Sequence, residues 1–370
     1  FTFSFFNFKK ISTNKFHFYY CLTIFSILFS SFFVSPYFSI ALFKVFFLFI
    51  LSYVLNINLS KYPNWDNFIF KTTEIIVLIG SVLYFTTIGY YKNGLFMGLF
   101  NHSQTIGLFL VPLLLYYSIS KFEAKNTGYK TILIIALGII QIFGSYSRTS
   151  IFTLVFLLIF YFILKYFSIR ELKYLFLRPK RLILLVVISG FILVNLTSII
   201  DSSMQYITKS YVNDLSQSGN IDILSSRQVL YENSLNNFLS SPLFGNGFGI
   251  QFETKQYINK NSLKFLEGTT IPYSMISEKG NVYLMILEEG GGFVFFFFCL
   301  FLIKFIFVVK RHTPSLLSSL AILIMFNGES TFFSINGVGA FQFVFFCFMY
   351  HRAMSVSKLN YKVSKFANLK

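Results

Sequence analysis

Apolar residues run through this chain in long unbroken stretches, each closed by a short polar or basic break. The alternation of a half-buried strand and the single apolar stripe of a surface helix are both missing from these stretches. A bilayer core of about 30 Å takes roughly 20 such residues as a helix, and at that window length the sequence predicts about ten spans. They fall near 18–34, 37–57, 74–91, 102–120, 131–145, 149–167, 182–200, 281–303, 315–331 and 335–350. The fifth, ninth and tenth are short, which admits re-entrant or kinked forms. The first run ends at Phe33-Val34-Ser35-Pro36 without a small-residue cleavage pattern, and a second run follows at once. It therefore reads as a span and not as a signal peptide. The chain opens on Phe1 instead of Met, so an upstream start is expected.

Composition excludes a soluble protein. Hydrophobic residues make up 55% of the 370, aromatic residues 21% and charged residues only 12%, with 53 phenylalanines. The mean hydropathy is +0.65. A water-soluble chain of this length could not bury so much apolar surface. The expected fold is an all-α polytopic membrane protein. Its parts are N-terminal spans over 1–200, one long hydrophilic segment over 201–280 with short helices, C-terminal spans over 281–350 and a basic tail over 351–370.

Charge orients these parts. Lys and Arg number 31 against 14 Asp and Glu, a net charge of +17. In a soluble protein that excess would suggest nucleic acid. Here 22 of the basic residues fall on one side of the predicted spans and 8 on the other, with Lys44 inside a span. The positive-inside rule then puts both termini in the cytoplasm and accounts for the charge without nucleic acid. The segment 201–280 lies on the outer face and is nearly neutral, with six basic and seven acidic residues. Cys21, Cys299 and Cys347 sit within apolar runs, and the four histidines are scattered, so neither a disulfide framework nor a metal site is expected. The sequence carries no nucleotide-binding P-loop either.

Four segments could carry chemistry. Arg148, in Ser147-Arg148-Thr149, opens the sixth span at the outer boundary. It either snorkels to headgroups or presents a guanidinium fork at the depth of a lipid pyrophosphate. Arg227 follows Ser225-Ser226 in a stretch whose Ser225 and Gln228 fit a capping box, with Ser241-Pro242 as the stop. A cation in the first turn opposes the helix dipole, which makes sense if an anion sits there; otherwise Arg227 is a solvated surface arginine. Pro242-Leu243-Phe244-Gly245-Asn246-Gly247-Phe248-Gly249 has glycine at alternate positions, which permits close backbone approach but by itself reads as a turn. Asn281-Val282-Tyr283 opens the eighth span and leads to Glu288-Glu289-Gly290. A carboxylate at that depth faces a polar cavity or a structural partner, and Glu329 near the end of the ninth span invites the same two readings.

In this order and on this topology, the four segments resemble the O-antigen ligase and polymerase superfamily of bacterial envelope glycan assembly. A glycine-bearing stretch from Gly94 to Gly107, with Asn101-His102-Ser103, precedes them in keeping with that family, and the resemblance covers roughly 90–350. It implies a fold like that of glycosyltransferases using lipid-linked donors. Arg148 and Arg227 would hold undecaprenyl pyrophosphate, and Asn281, Tyr283, Glu288, Asn246 and Gly247 would contact substrate. Ligases of this family typically carry a histidine just before the asparagine that opens the late span. Gly280 stands there in this chain. The departure favours a polymerase that joins undecaprenyl-pyrophosphate-linked repeat units into O-antigen, capsular polysaccharide or exopolysaccharide in the inner membrane. It also leaves the general base to Glu278 or, second, Glu232. The implied partners are the lipid-linked glycans, membrane lipids, a flippase and a chain-length regulator, with no cofactor and no metal. The alternatives are a ligase acting on a lipid or protein acceptor and a flippase or transporter of lipid-linked sugars, although no internal repeat marks the latter.

Overall fold

A computed structural model describes residues 15–35, 38–61, 65–90, 94–100, 102–125, 127–166, 225–249, 281–328, 332–333 and 337–367. The span expected near 182–200 and Glu278 lie outside these residues. The described residues are helical, with an isolated bridge between Tyr90 and Phe96 and no strand. In chain order the helices are α1 (Lys15–Val34), α2 (Phe38–Lys61), α3 (Trp65–Tyr84), α4 (Ser103–Glu123), α5 (Tyr129–Gly144), α6 (Arg148–Tyr166), α7 (Ser225–Ser240), α8 (Val282–Val309), α9 (Thr313–Met325) and α10 (Gly337–Ala367). Five of them, α1 to α4 and α8, are long and apolar enough to cross a membrane, while α5, α6 and α9 are shorter apolar helices.

The chain divides into two units, residues 1–153 with 231–370, and residues 154–230. The second holds the larger part of α6 and the opening of α7. The first holds every other helix. Within it, α1 packs on α8 and α2, α4 on α9 and α5, and α10 on α8, α9 and α2.

Two kinds of apolar surface separate cleanly in the first unit. Phe32 is 65% exposed and Val82 67%, whereas Phe298, Phe332, Phe343 and Phe346 are at 0%. Large aromatic residues on the outside are what a lipid-facing surface requires, because the solvent there is itself apolar. The buried set forms one aromatic core. Phe305 stacks on Phe346 with ring centroids 4.4 Å apart, Tyr20 lies 4.5 Å from Phe343, and Phe16 packs edge-on to Phe301. Elsewhere the helices approach through small residues, the usual device in lipid. Gly138 of α5 faces Leu114 and Val77, and Gly80 of α3 receives Gln141, whose amide donates to Val77 O at 2.7 Å.

Three predicted spans differ in extent. The third, expected at 74–91, is Trp65–Tyr84. Glu74 was expected at its edge but sits well inside α3, because Lys130 Nζ at 2.6 Å and the Tyr117 hydroxyl at 3.0 Å meet its carboxylate. The ninth stops early at Met325, short of 331. The tenth continues well past 350, as α10 carries the start of the expected tail in helical form to Ala367.

Polar contacts gather at one end of the first unit. Asp66 accepts from Tyr116 at 2.7 Å and pairs with Arg352 at 2.6 Å, and Asn56 meets His351 at 3.0 Å. His312 precedes α9, with Nδ1 2.8 Å from Ser315 Oγ and its ring against Tyr116. The helix ends expected on the basic side of the membrane therefore meet here. Burial, aided by the Arg352 guanidinium, pushes the His312 imidazole down to about 4. An unfolded histidine takes up its proton near pH 6.5 while the folded one does not, so this stability is complete above pH 6.5 and is lost as pH falls towards 4. Thermal unfolding in detergent should show a midpoint that drops over this interval, and a shallower drop in His312→Asn.

Candidate functional site

Helix α8 is broken at its middle glycines. Asn281 caps its start, accepting from the Tyr283 and Leu284 amides at 2.8 and 3.1 Å. The helix then runs to Gly291, whose φ of 67° and ψ of −173° interrupt it. That backbone region is essentially restricted to glycine. In an intact helix the Gly292 amide would donate to Glu288 O and the Phe293 amide to Glu289 O. Neither bond forms. Instead Gly292 N donates to Pro242 O at 2.8 Å and Phe293 N to Leu243 O at 3.1 Å, while Glu288 O accepts from Asn246 N at 2.8 Å and Glu289 O from Gly247 N at 3.0 Å. The Pro242–Gly249 segment thus inserts into the break and takes over the four backbone groups that the kink releases. At membrane depth such groups cannot be left unmet.

The alternate glycines follow from this docking. Gly245 has a φ of 66°, and a Cβ there would lie 2.6 Å from Glu289 C, Gly290 N and Gly291 N. A Cβ on Gly291 would in turn strike the Leu243 carbonyl. The two backbones touch without side chains between them, which only glycine at both positions allows. From α1, Ser30 Oγ donates to Phe244 O, and Ser31 Oγ accepts from Phe248 N at 3.1 Å.

Both carboxylates of the broken turn are buried and hold the same segment. Glu288 Oε1 accepts from Asn237 Nδ2 of α7 at 2.9 Å, and the Asn237 carbonyl accepts from Asn246 Nδ2 at 2.8 Å. Glu289 Oε2 accepts from the Gly249 amide at 2.9 Å. Helix α7 turns a polar side inward: Ser234 and Asn237 are buried, while Leu235 and Leu239 of its apolar face are exposed. Its Tyr231 hydroxyl donates to Asn327 O at 2.9 Å.

Asn327 is followed by Gly328, where a Cβ would lie 2.8 Å from Thr149 Oγ1. The Arg148-Thr149 start of α6 therefore meets the end of α9 beside the Tyr231 contact. The turn that delivers it is tight. Tyr146 adopts a φ of 52°, Ser147 Oγ lies 2.8 Å from Ser150 Oγ, and Gly107 of α4 leaves room for both hydroxyls. Arg148 itself is half-buried.

Of the predicted site residues, Asn246, Gly247, Glu288, Asn281, Tyr283 and Arg148 thus lie in one unit and around one end of it. Tyr283 donates from its hydroxyl to Leu323 O at 3.0 Å, and the backbone amides of Asn246 and Gly247 are committed to α8. Glu232 is an exposed residue of α7. Arg227 belongs to the opening of α7, within the other unit, and its side chain lies outside the described residues, as does Glu278. Sequence reasoning missed Asn237, Ser30 and Ser31. The signal available was a pair of serines in an otherwise phenylalanine-rich span and the Asn236-Asn237 pair in the helix that follows Ser225. Among the described residues no cluster could hold a metal ion.

No curated protein and no solved structure matches the chain. Residues 133–299 match the family model described as Wzy_C, O-antigen ligase. The matched stretch begins within α5 and ends within α8, and so includes Arg148, Arg227, the inserted segment and the broken turn. Over that stretch the chain is similar to the O-antigen ligase family.

Proposed function

We propose that this protein polymerises undecaprenyl-pyrophosphate-linked repeat units at the outer face of the cytoplasmic membrane, with both termini inside. The family supports an envelope polysaccharide function and a membrane substrate. The observation that carries the polymerase reading is Gly280, which stands where ligases of this family typically present a histidine.

In this mechanism Arg148 and Arg227 hold the two phosphates of the donor. The acceptor hydroxyl on a second lipid-linked glycan attacks the anomeric carbon of the donor sugar. The bond from that carbon to the phosphate oxygen breaks, and the lipid pyrophosphate leaves with the electron pair. The hydroxyl proton passes to a carboxylate, for which Glu278 and Glu232 are the candidates. A pyrophosphate is already a good leaving group, so fixed positive charge and positioning do most of the work. The inserted segment supports this reading as a scaffold. Its Asn246 holds the Asn237 carbonyl of α7, and Asn237 in turn donates to Glu288 of α8, so the segment and the two helices are tied together.

A ligase is the second reading, favoured by the printed description of the family model. Reconstitution in liposomes with lipid-linked repeat units separates the two. A ladder of growing glycan from repeat units alone is expected. Product that forms only when lipid A–core or a protein acceptor is added would replace the polymerase reading with the ligase. Movement of repeat units across the bilayer without any transfer would overturn both.

A further inference from the structure

Among the charges within the predicted spans are Lys44, Glu74, Glu288 and Glu289. Three of them have partners that explain their presence. Glu74 pairs with Lys130, and the two carboxylates of α8 hold Asn237 and the Gly249 amide. Lys44 differs. Its ammonium meets the Gly249 carbonyl at 3.3 Å and lies 5.7 Å from the centroid of the Phe248 ring, both uncharged groups. Among the described residues it makes no ion pair. A cation at the centre of a span costs on the order of 2.5–3.5 kcal/mol on insertion scales and less towards its ends; it is met by a partner or a backbone carbonyl, or marks a path or site for a charged ligand.

Its depth is informative. Lys44 is six residues into α2, about 9 Å from the helix start, and Glu289 is seven residues past Val282, about 10 Å into α8. Both reach Gly249, the last residue described in the inserted segment. The backbone amides from Gly245 to Gly249 are all used within the protein, by Ser241 O, Glu288 O, Glu289 O, Ser31 Oγ and Glu289 Oε2. The glycine-rich segment therefore has no amides left between Gly245 and Gly249 to cradle an anion. What it offers instead is the half-buried ammonium beside it, which has three donors and one backbone acceptor at hydrogen-bond distance.

We propose that Lys44 is a further substrate-binding residue, which contacts a phosphate oxygen of the lipid-linked diphosphate from the α2 side of the inserted segment. The inference rests on the reading of the protein as an enzyme for such donors. A phospholipid headgroup offers the same phosphate chemistry, and the test distinguishes the two sources.

The test uses the full chain in phosphatidylcholine nanodiscs, titrated with sugar-free undecaprenyl pyrophosphate. Lys44→Gln keeps a donor for Gly249 O but removes the charge, and it should weaken binding about tenfold, as expected for one lost charge-assisted contact. Lys44→Arg should stay within about threefold of the original, since the cation remains. Equal affinity of Lys44→Gln and the unaltered chain would overturn the proposal while leaving the polymerase reading intact. Loss of binding to phosphatidylglycerol vesicles as large as the loss for the diphosphate would make Lys44 a general headgroup anchor, which also overturns it. If the unaltered chain binds no undecaprenyl pyrophosphate, the enzymatic reading itself fails. If Lys44→Gln and Lys44→Met both fail to accumulate while Lys44→Arg folds, the charge is structural and the proposal is lost.

Discussion

Arg227→Ala should reduce chain growth by about 100- to 1000-fold, the usual cost of removing one donor that stabilises charge developing in a transition state. In the proposed mechanism the Arg227 guanidinium would stabilise the negative charge that builds on the leaving oxygen of the pyrophosphate. Protein levels should stay near normal. The contacts that hold α7 in place, Tyr231 to Asn327 and Asn237 to Glu288, lie further along the helix. Arg227→Lys should recover only part of the rate, because an ammonium lacks the planar fork that grips two oxygens at once. If Arg148 serves the same pyrophosphate, the Arg148→Ala Arg227→Ala pair should lose less than the product of the single losses. Glycan length on gels, with the variant supplied to cells lacking the native gene, is the measurement. Long glycan at ordinary abundance from Arg227→Ala would refute the assigned role.

The largest structural effect is expected at Gly245. An alanine there places its Cβ 2.6 Å from three backbone atoms of the Glu289–Gly291 turn, which have no rotamer to move aside. It also forces a side chain into a left-handed φ of 66°. Overpacking costs about 1–3 kcal/mol and the left-handed conformation about 1–2 kcal/mol, so a loss of roughly 2–5 kcal/mol follows. Stabilities of whole domains are only about 5–15 kcal/mol, so a protein that fails to accumulate or melts far earlier is the expected result. Gly128→Ala is the matched control. Its φ is −64° and nothing lies within 4 Å of the added methyl, so the loss should be confined to the weaker N-cap, about 1 kcal/mol at most. Equal melting of the two variants in detergent would show that the inserted segment does not dock as described.

Much of the helical layout was legible because its causes are local. Helix α1 ends just before Ser35-Pro36, α4 starts at the His102 cap, and α8 starts at the Asn281 cap, each within a few residues of expectation. Helix α3 was misplaced because hydropathy treats Glu74 as a boundary. Its tolerance inside the helix depends on Lys130 and Tyr117, which arrive from two other helices. The glycine motif shows the same divide. Its capacity for unusual backbone could be read from the residues. Its purpose could not, because the complementary kink lies more than forty positions later in the chain. Glu288 was expected to face substrate, and the position of Asn237 opposite its carboxylate is likewise a property of the assembled helices and of no single segment.

The hand-over of hydrogen bonds at the α8 break also dictates an order of assembly. On the proposed topology the 242–249 stretch emerges first and travels to the outer side ahead of its partner. When α8 enters the bilayer, its upper half carries two amides and two carbonyls that lipid cannot satisfy, at several kcal/mol each. That half-helix therefore stays in a wet or chaperoned environment until the waiting segment reaches it, and the two become stable together. Chains that end at Gly290 and have been released from the ribosome should expose the 242–249 stretch to externally added protease, and completed chains should shield it.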